Sequence, residues 1–137
     1  MRMKSRRDSA LIRNEKALNV VLEELREGNP PIIVEGKRDR AALVAAGISN
    51  PIFTLTGRPE ELAELVSRQA DRAVILTDFD AAGEELLARL ESALQGCNVT
   101  PDTVTRRRLG GLLGVRFFQD FDRRLLAFRE KVNGGER

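Results

Sequence analysis

The sequence contains no histidine, tyrosine or tryptophan, and its 137 residues include one cysteine. Without an imidazole there is no Ser-His-Asp triad, no Cys-His nucleophile and no His-ligated metal, and a single cysteine builds neither a zinc cluster nor an internal disulfide. The missing tyrosine excludes a tyrosyl-DNA intermediate on this chain. No G-x-x-x-x-G-K-[ST] loop occurs, which argues against a nucleoside triphosphatase. No apolar run approaches the roughly 18 residues of a membrane span. The basic start, Arg2, Lys4, Arg6 and Arg7, leads into an amphipathic stretch rather than the apolar core of an export signal. A soluble, cytoplasmic protein with no membrane partner is expected. The chemistry left open is that of carboxylates, Lys and Arg, hydroxyls and a hard metal ion.

What is present is globular in character: 42% of residues are hydrophobic and 32% charged. The net charge of +2 conceals a partition. Residues 1–13 carry net +4, residues 14–59 are neutral, residues 60–102 carry −7 and residues 103–137 carry +5. Arginine accounts for 19 of the 23 basic residues, and its planar fork suits phosphate; base composition alone also enriches it.

Apolar residues at helical spacing predict an amphipathic helix from Ser9 to Glu27, stopped by Gly28-Asn29-Pro30-Pro31. A strand-helix rhythm follows. Ile32-Ile33-Val34 reads as a strand buried on both faces, 39–46 as a helix, Ile52 to Leu55 as a strand and Pro59 to Arg68 as a helix. Ala73 to Thr77 is the strongest strand, Glu84 to Gln95 a helix, and Thr103-Val104-Thr105 a fourth strand. Gly110-Gly111 and Gly114 read as flexible, and Phe117, Phe121, Leu125, Phe128 and Val132 as one face of a last helix, with the residues from Asn133 to Arg137 frayed. The pattern predicts an α/β fold, a mainly parallel sheet of about four strands with helices on both faces. It divides into an N-terminal basic segment with an amphipathic helix (1–30), a central α/β unit (31–110) and a C-terminal amphipathic helix with a frayed tail (111–137), packed as one structural unit. The Phe-rich face and Cys97 are most simply core, and a homodimer seam is the second reading of that face.

In an open parallel sheet, ligands bind beyond the carboxyl ends of the strands. Glu35 follows the first strand, and Asp78 and Asp80 follow the third. Carboxylates meeting at one rim raise each other's pKa unless a cation sits between them, and Mg²⁺ takes oxygen ligands of this kind together with water and phosphate. Taken singly, Asp80 and Asp39 also suit helix caps, and Glu35 an exposed turn. Together, E-G after one buried strand and D-x-D-x-x-G after another favour a metal site.

These segments, Ile33-Val34-Glu35-Gly36-Lys37-Arg38-Asp39, Gly57, and Ile75 to Gly83 with Asp78-Phe79-Asp80, resemble the Toprim domain of bacterial primases, topoisomerases and some nucleases. The resemblance covers about residues 31–108 and is to the small stand-alone, primase-like Toprim proteins, then to the maturase of five-S ribosomal RNA. It implies a Rossmann-like Toprim fold and two Mg²⁺ ions, with Mn²⁺ as an alternative. It further implies that Glu35 binds one ion and acts as general acid or base, Asp78 bridges the two and Asp80 holds the second, with Gly36, Asp39, Gly57 and Gly83 as structural motif positions. The maturase pattern has an apolar residue and then Arg after Gly-Glu, whereas this chain continues Glu85-Leu86, so the resemblance to the maturase stops there. A haloacid-dehalogenase-type phosphatase also carries D-x-D after a strand, but its Thr or Val is Ala82 here.

Lys37, Arg38, Arg58 and Arg106 are the candidate phosphate or nucleic-acid contacts; a solvated charge run explains Arg106-Arg107-Arg108 equally well. With no aromatic exposed beside them, base stacking is not expected. The sequence therefore predicts a Mg²⁺-dependent protein of nucleic-acid metabolism, with nuclease-like or primase-like phosphotransfer on RNA or DNA. The alternative is a non-catalytic metal-binding or scaffold module that binds nucleic acid alongside a larger partner.

Overall fold

The computed structural model describes residues 6–135. Helix α1 (Arg6–Arg26) precedes β1 (Ile32–Val34), α2 (Lys37–Ala45), β2 (Ile52–Thr54), α3 (Pro59–Ser67) and β3 (Arg72–Ile75). Then come α4 (Ala81–Gly96), β4 (Thr100–Asp102), α5 (Val104–Leu113), a 3₁₀ turn (Phe118–Asp120) and α6 (Phe121–Gly135). The basic residues Arg2 and Lys4, and Glu136 and Arg137 of the tail, lie outside the described residues. Asn133 to Gly135, expected to fray, belong to α6.

The four strands form one all-parallel sheet in the order β2-β1-β3-β4. Each β-branched residue of β1 is fully buried, as a central strand covered on both faces requires. Strand periodicity divides the sheet's side chains. Ile32, Val34, Val74 and Leu76 join a core with Leu18, Leu22 and Leu25 of α1, Leu43 of α2, Leu109 of α5 and Phe121 of α6. Ile33, Ala73 and Ile75 face Leu62 and Val66 of α3 and Leu90 and Leu94 of α4. Asn50 ties α1 to the sheet by donating to the carbonyls of Leu25 and Pro30.

Connectivity creates a switch point. The chain leaves β1 outward to β2, then returns past β1 to β3, so the carboxyl ends of β1 and β3 are neighbours from which the chain departs in opposite directions.

Three expectations are corrected. The fourth strand is Thr100–Asp102, and Val104 and Thr105 already belong to α5. The Asp102 carboxylate accepts the N–H groups of Val104 and Thr105 and the Thr105 hydroxyl, which starts the helix and overrides the β-branched character of Thr-Val-Thr. Pro101 is tolerated because β4 is an edge strand with one open side. Gly110 and Gly111 are helical; a Cβ on Gly110 would come within 2.6 Å of the Phe79 ring, so this glycine makes room for an aromatic side chain. The chain turns only at Gly114, at φ +65°. Finally, Phe117 and Phe118 precede α6. Phe118 and Phe121 are fully buried and Leu125 nearly so, which bears out the first reading of these side chains as core.

Candidate metal centre

Glu35 and Asp78 come from adjacent strand ends, 43 residues apart in sequence, and are joined directly: the Asp78 N–H donates to Glu35 Oε2 at 2.6 Å. Asp78 Oδ1 accepts the Phe118 N–H at 2.8 Å. Asp80 Oδ1 accepts the Gly83 N–H at 2.7 Å and caps α4, while Asp39 Oδ2 accepts the Gly36 N–H at 2.9 Å at the start of α2. One oxygen of each carboxylate is thus held by backbone, which orients the other.

These carboxyl groups sense one another. Glu35 is pushed above its ordinary value of 4.5, chiefly by burial and further by the charges of Asp78, Asp80 and Asp39, against the Asp78 amide that lowers it. Asp39 is also raised, first by burial and then by Asp78, while the Gly36, Glu35 and Gln119 amides oppose the shift. The folded chain therefore holds the Glu35 proton more tightly than the unfolded chain does. The resulting stability is full below pH 4.5 and declines as pH rises through the raised folded value. Urea unfolding followed by circular dichroism in EDTA should show Glu35→Gln gaining on wild type as pH rises from 4 to 7, by less than about 1 kcal/mol because solvent screens this partly exposed group. A constant difference across that range would contradict this account.

Among the described residues no three carboxylates close into a ready-made metal cage. The donor set nevertheless fits Mg²⁺. It is made of hard oxygens only, and this ion uses one or two carboxylates while keeping water and taking up phosphate, which an open rim allows.

The loop bearing Asp78 and Asp80 is clamped from below. Arg106 is buried, at 4% exposure. Its Nε donates to the Thr77 carbonyl at 2.7 Å and its Nη2 to the Asp78 carbonyl at 2.7 Å and to Glu84 Oε1 at 2.8 Å. Its guanidinium stacks on Phe79, 4.0 Å from the ring centroid, and Phe79 in turn stacks on Phe118. The Thr77 hydroxyl donates to the Gly83 carbonyl, closing the loop onto α4. Arg106, expected from sequence at the end of a strand and facing phosphate, is a buried clamp because α5 begins before it. Arg58 stands at the end of β2, on the far side of β1 from Asp78, with its Nε on Glu61 Oε1. Lys37 and Arg38 are exposed at the start of α2, beside Glu35.

The motif glycines serve different ends. Gly57 adopts φ +86°, whereas Gly36 is extended at φ −150°. Gly83 packs directly on the backbone of Asp78. Sequence reasoning did not find Thr77, the clamping role of Arg106 or the Phe118 amide; the polar residue closing the apolar run at 73–77 was the one available signal.

The comparisons with known proteins agree with this fold. The Toprim domain family model matches residues 30–103. A UPF0292 protein of Pyrococcus horikoshii is 39% identical over 98 residues, covering 72% of this chain and 74% of that one. One from Archaeoglobus fulgidus is 34% identical over 115 residues, covering 84% and 89%. A solved structure of an Aquifex aeolicus protein superimposes with a TM-score of 0.65 at 24% identity, covering 75% of this chain and 96% of that one, which supports the fold. Toprim domains as a family serve metal-dependent nucleic-acid metabolism. The chain belongs to the Toprim domain family, among its small UPF0292 proteins.

Proposed function

We propose that this chain is a Mg²⁺-dependent, nuclease-like protein acting on the phosphodiester backbone of RNA or DNA, with Glu35, Asp78 and Asp80 as its metal-holding residues. The observation that carries the reading is the 2.6 Å bond between the Asp78 N–H and Glu35 Oε2, which joins the two acidic motifs at the switch point of the sheet. When bound, Mg²⁺ supplies positive charge against the phosphate oxygens.

The chain's own residues do the rest. Glu35 Oε1 has no protein hydrogen-bond partner among the described residues, and burial raises this carboxyl above the ordinary carboxylate value, which favours its acting as a proton carrier. Asp78 is immobilised at its N–H, its carbonyl and Oδ1, so its remaining oxygen has one direction in which to act. Asp80 is oriented by its capping bond to Gly83. Such immobilisation lowers the reorganisation needed when charge develops.

Cleavage of end-labelled structured RNA and DNA with and without Mg²⁺ tests the proposal. Wild type should cut only with the metal, and Glu35→Gln should be slower by at least about 100-fold. Equal rates for the two proteins would refute it. Binding without cleavage, surviving in EDTA and falling steeply with salt, would instead support the non-catalytic module.

A further inference from the structure

The segment joining α5 to α6 lies beyond the part of the chain that the Toprim family model matches, yet it forms a wall of the candidate metal centre. Gly114 turns the chain back, and buried Val115 and Phe118 pin the segment to the core at 3% and 0% exposure. Between these anchors, the Arg116 carbonyl accepts the Phe79 N–H at 2.9 Å and the Phe118 N–H reaches Asp78 Oδ1. The backbone of this segment is thereby bonded to the D-x-D loop on both sides of Phe117.

Arg116 itself is exposed, and no carboxylate pairs with it among the described residues. Other arginines are engaged elsewhere: Arg58 with Glu61, Arg106 beneath the loop, Arg108 with Glu24 and Arg123 with Asp120. The Arg116 guanidinium carbon lies 5.9 Å from the centroid of the Phe117 ring. A guanidinium held over a ring face keeps its in-plane N–H donors free, and that planar fork matches the oxygens of a phosphodiester. The candidate metal-holding side chains are acidic, so a strand approaching them needs cations to offset repulsion, and Arg116 adds to the exposed Lys37 and Arg38 beside Glu35.

We infer that Arg116 is a substrate-binding residue of this site, contacting a backbone phosphate of the nucleic-acid strand whose phosphodiester lies at Glu35, Asp78 and Asp80. The inference rests on the function proposed above and adds a contact supplied from outside the matched family region. Because Arg116 contacts phosphate rather than base edges, it adds affinity without sequence preference.

Fluorescence anisotropy with labelled structured RNA and duplex DNA, with Ca²⁺ in place of Mg²⁺ and across a KCl series, tests it. Arg116→Ala should weaken binding about tenfold near 0.1 M salt and reduce the salt slope by about 1. Arg116→Lys should keep the slope while losing part of the affinity, and Arg124→Ala, exposed on α6, should bind like wild type. Circular dichroism should show all three folded, and Mn²⁺ affinity should not change in Arg116→Ala. The RNA and DNA arms identify which strand is preferred. Wild-type affinity and slope in Arg116→Ala would overturn this inference alone, whereas a wild-type protein that binds neither nucleic acid would overturn the proposed function and this contact with it.

Discussion

Replacing Gly83 with alanine should destabilise the protein by about 3 kcal/mol or more and abolish divalent-metal binding at the candidate centre. A Cβ built on Gly83 would lie 1.9 Å from the Asp78 carbonyl oxygen, 2.6 Å from its carbonyl carbon and 3.0 Å from its nitrogen. All three neighbours are backbone, so no flexible side chain can yield. The loop must move away from α4, and with it go the cap from Asp80 Oδ1 to the Gly83 N–H and the bond from the Thr77 hydroxyl to the Gly83 carbonyl. Gly36→Ala provides the contrast. Its backbone is extended, the nearest atom to an added Cβ is Asp39 Oδ2 at 3.9 Å, and it should cost under about 1 kcal/mol. Urea unfolding by circular dichroism and Mn²⁺ titration by electron paramagnetic resonance would check both. A Gly83→Ala protein that keeps wild-type stability and metal affinity would show that Gly83 does not set the position of the aspartates.

Arg106→Met should cost about 3 kcal/mol, a large share of the roughly 5–15 kcal/mol that holds a domain folded. The substitution removes the donors that satisfy the Thr77 and Asp78 carbonyls and the charge paired with Glu84. It also removes the cation over Phe79. Glu84 is more than half exposed and recovers water, so the penalty falls mainly on the two carbonyls and on the stack. Arg106→Lys should recover only part of the loss, because an ammonium cannot reproduce the fork or the stack. This expectation separates two roles that the sequence leaves equivalent. A phosphate-binding arginine on the surface would leave stability unchanged when replaced and weaken only nucleic-acid binding; a buried clamp lowers the unfolding free energy in the absence of any ligand.

The strands β1 and β3 were legible because short apolar runs rich in β-branched residues, bounded by Glu-Gly and an Asp-rich loop, fit little else than buried parallel strands. The helices were legible from their apolar spacing and their stops. The fourth strand was not, since Thr100-Pro101-Asp102 has the composition of a turn and becomes a strand only by pairing with Arg72, Ala73 and Val74 along the sheet edge. The three-residue displacement carried Arg106 from a strand end to the inner side of a helix.

Glu35, Asp78 and Asp80 could be named from the sequence because each lies just after an apolar run and just before a glycine at a helix start, where local chemistry dominates. Their meeting could not be read there. It depends on the order β2-β1-β3-β4, which puts the ends of β1 and β3 side by side. The clamp of Arg106 on Phe79, the fit of Gly83 against Asp78 and the wall carrying Arg116 are likewise contacts between segments of the folded chain. By itself the sequence determined the chemistry available, carboxylates and arginines with no imidazole or phenol, and the α/β class. Only the tertiary structure decided which arginine lies buried beneath the loop and which is exposed beside it, because burial and hydrogen bonding are properties of the packed chain and composition does not contain them.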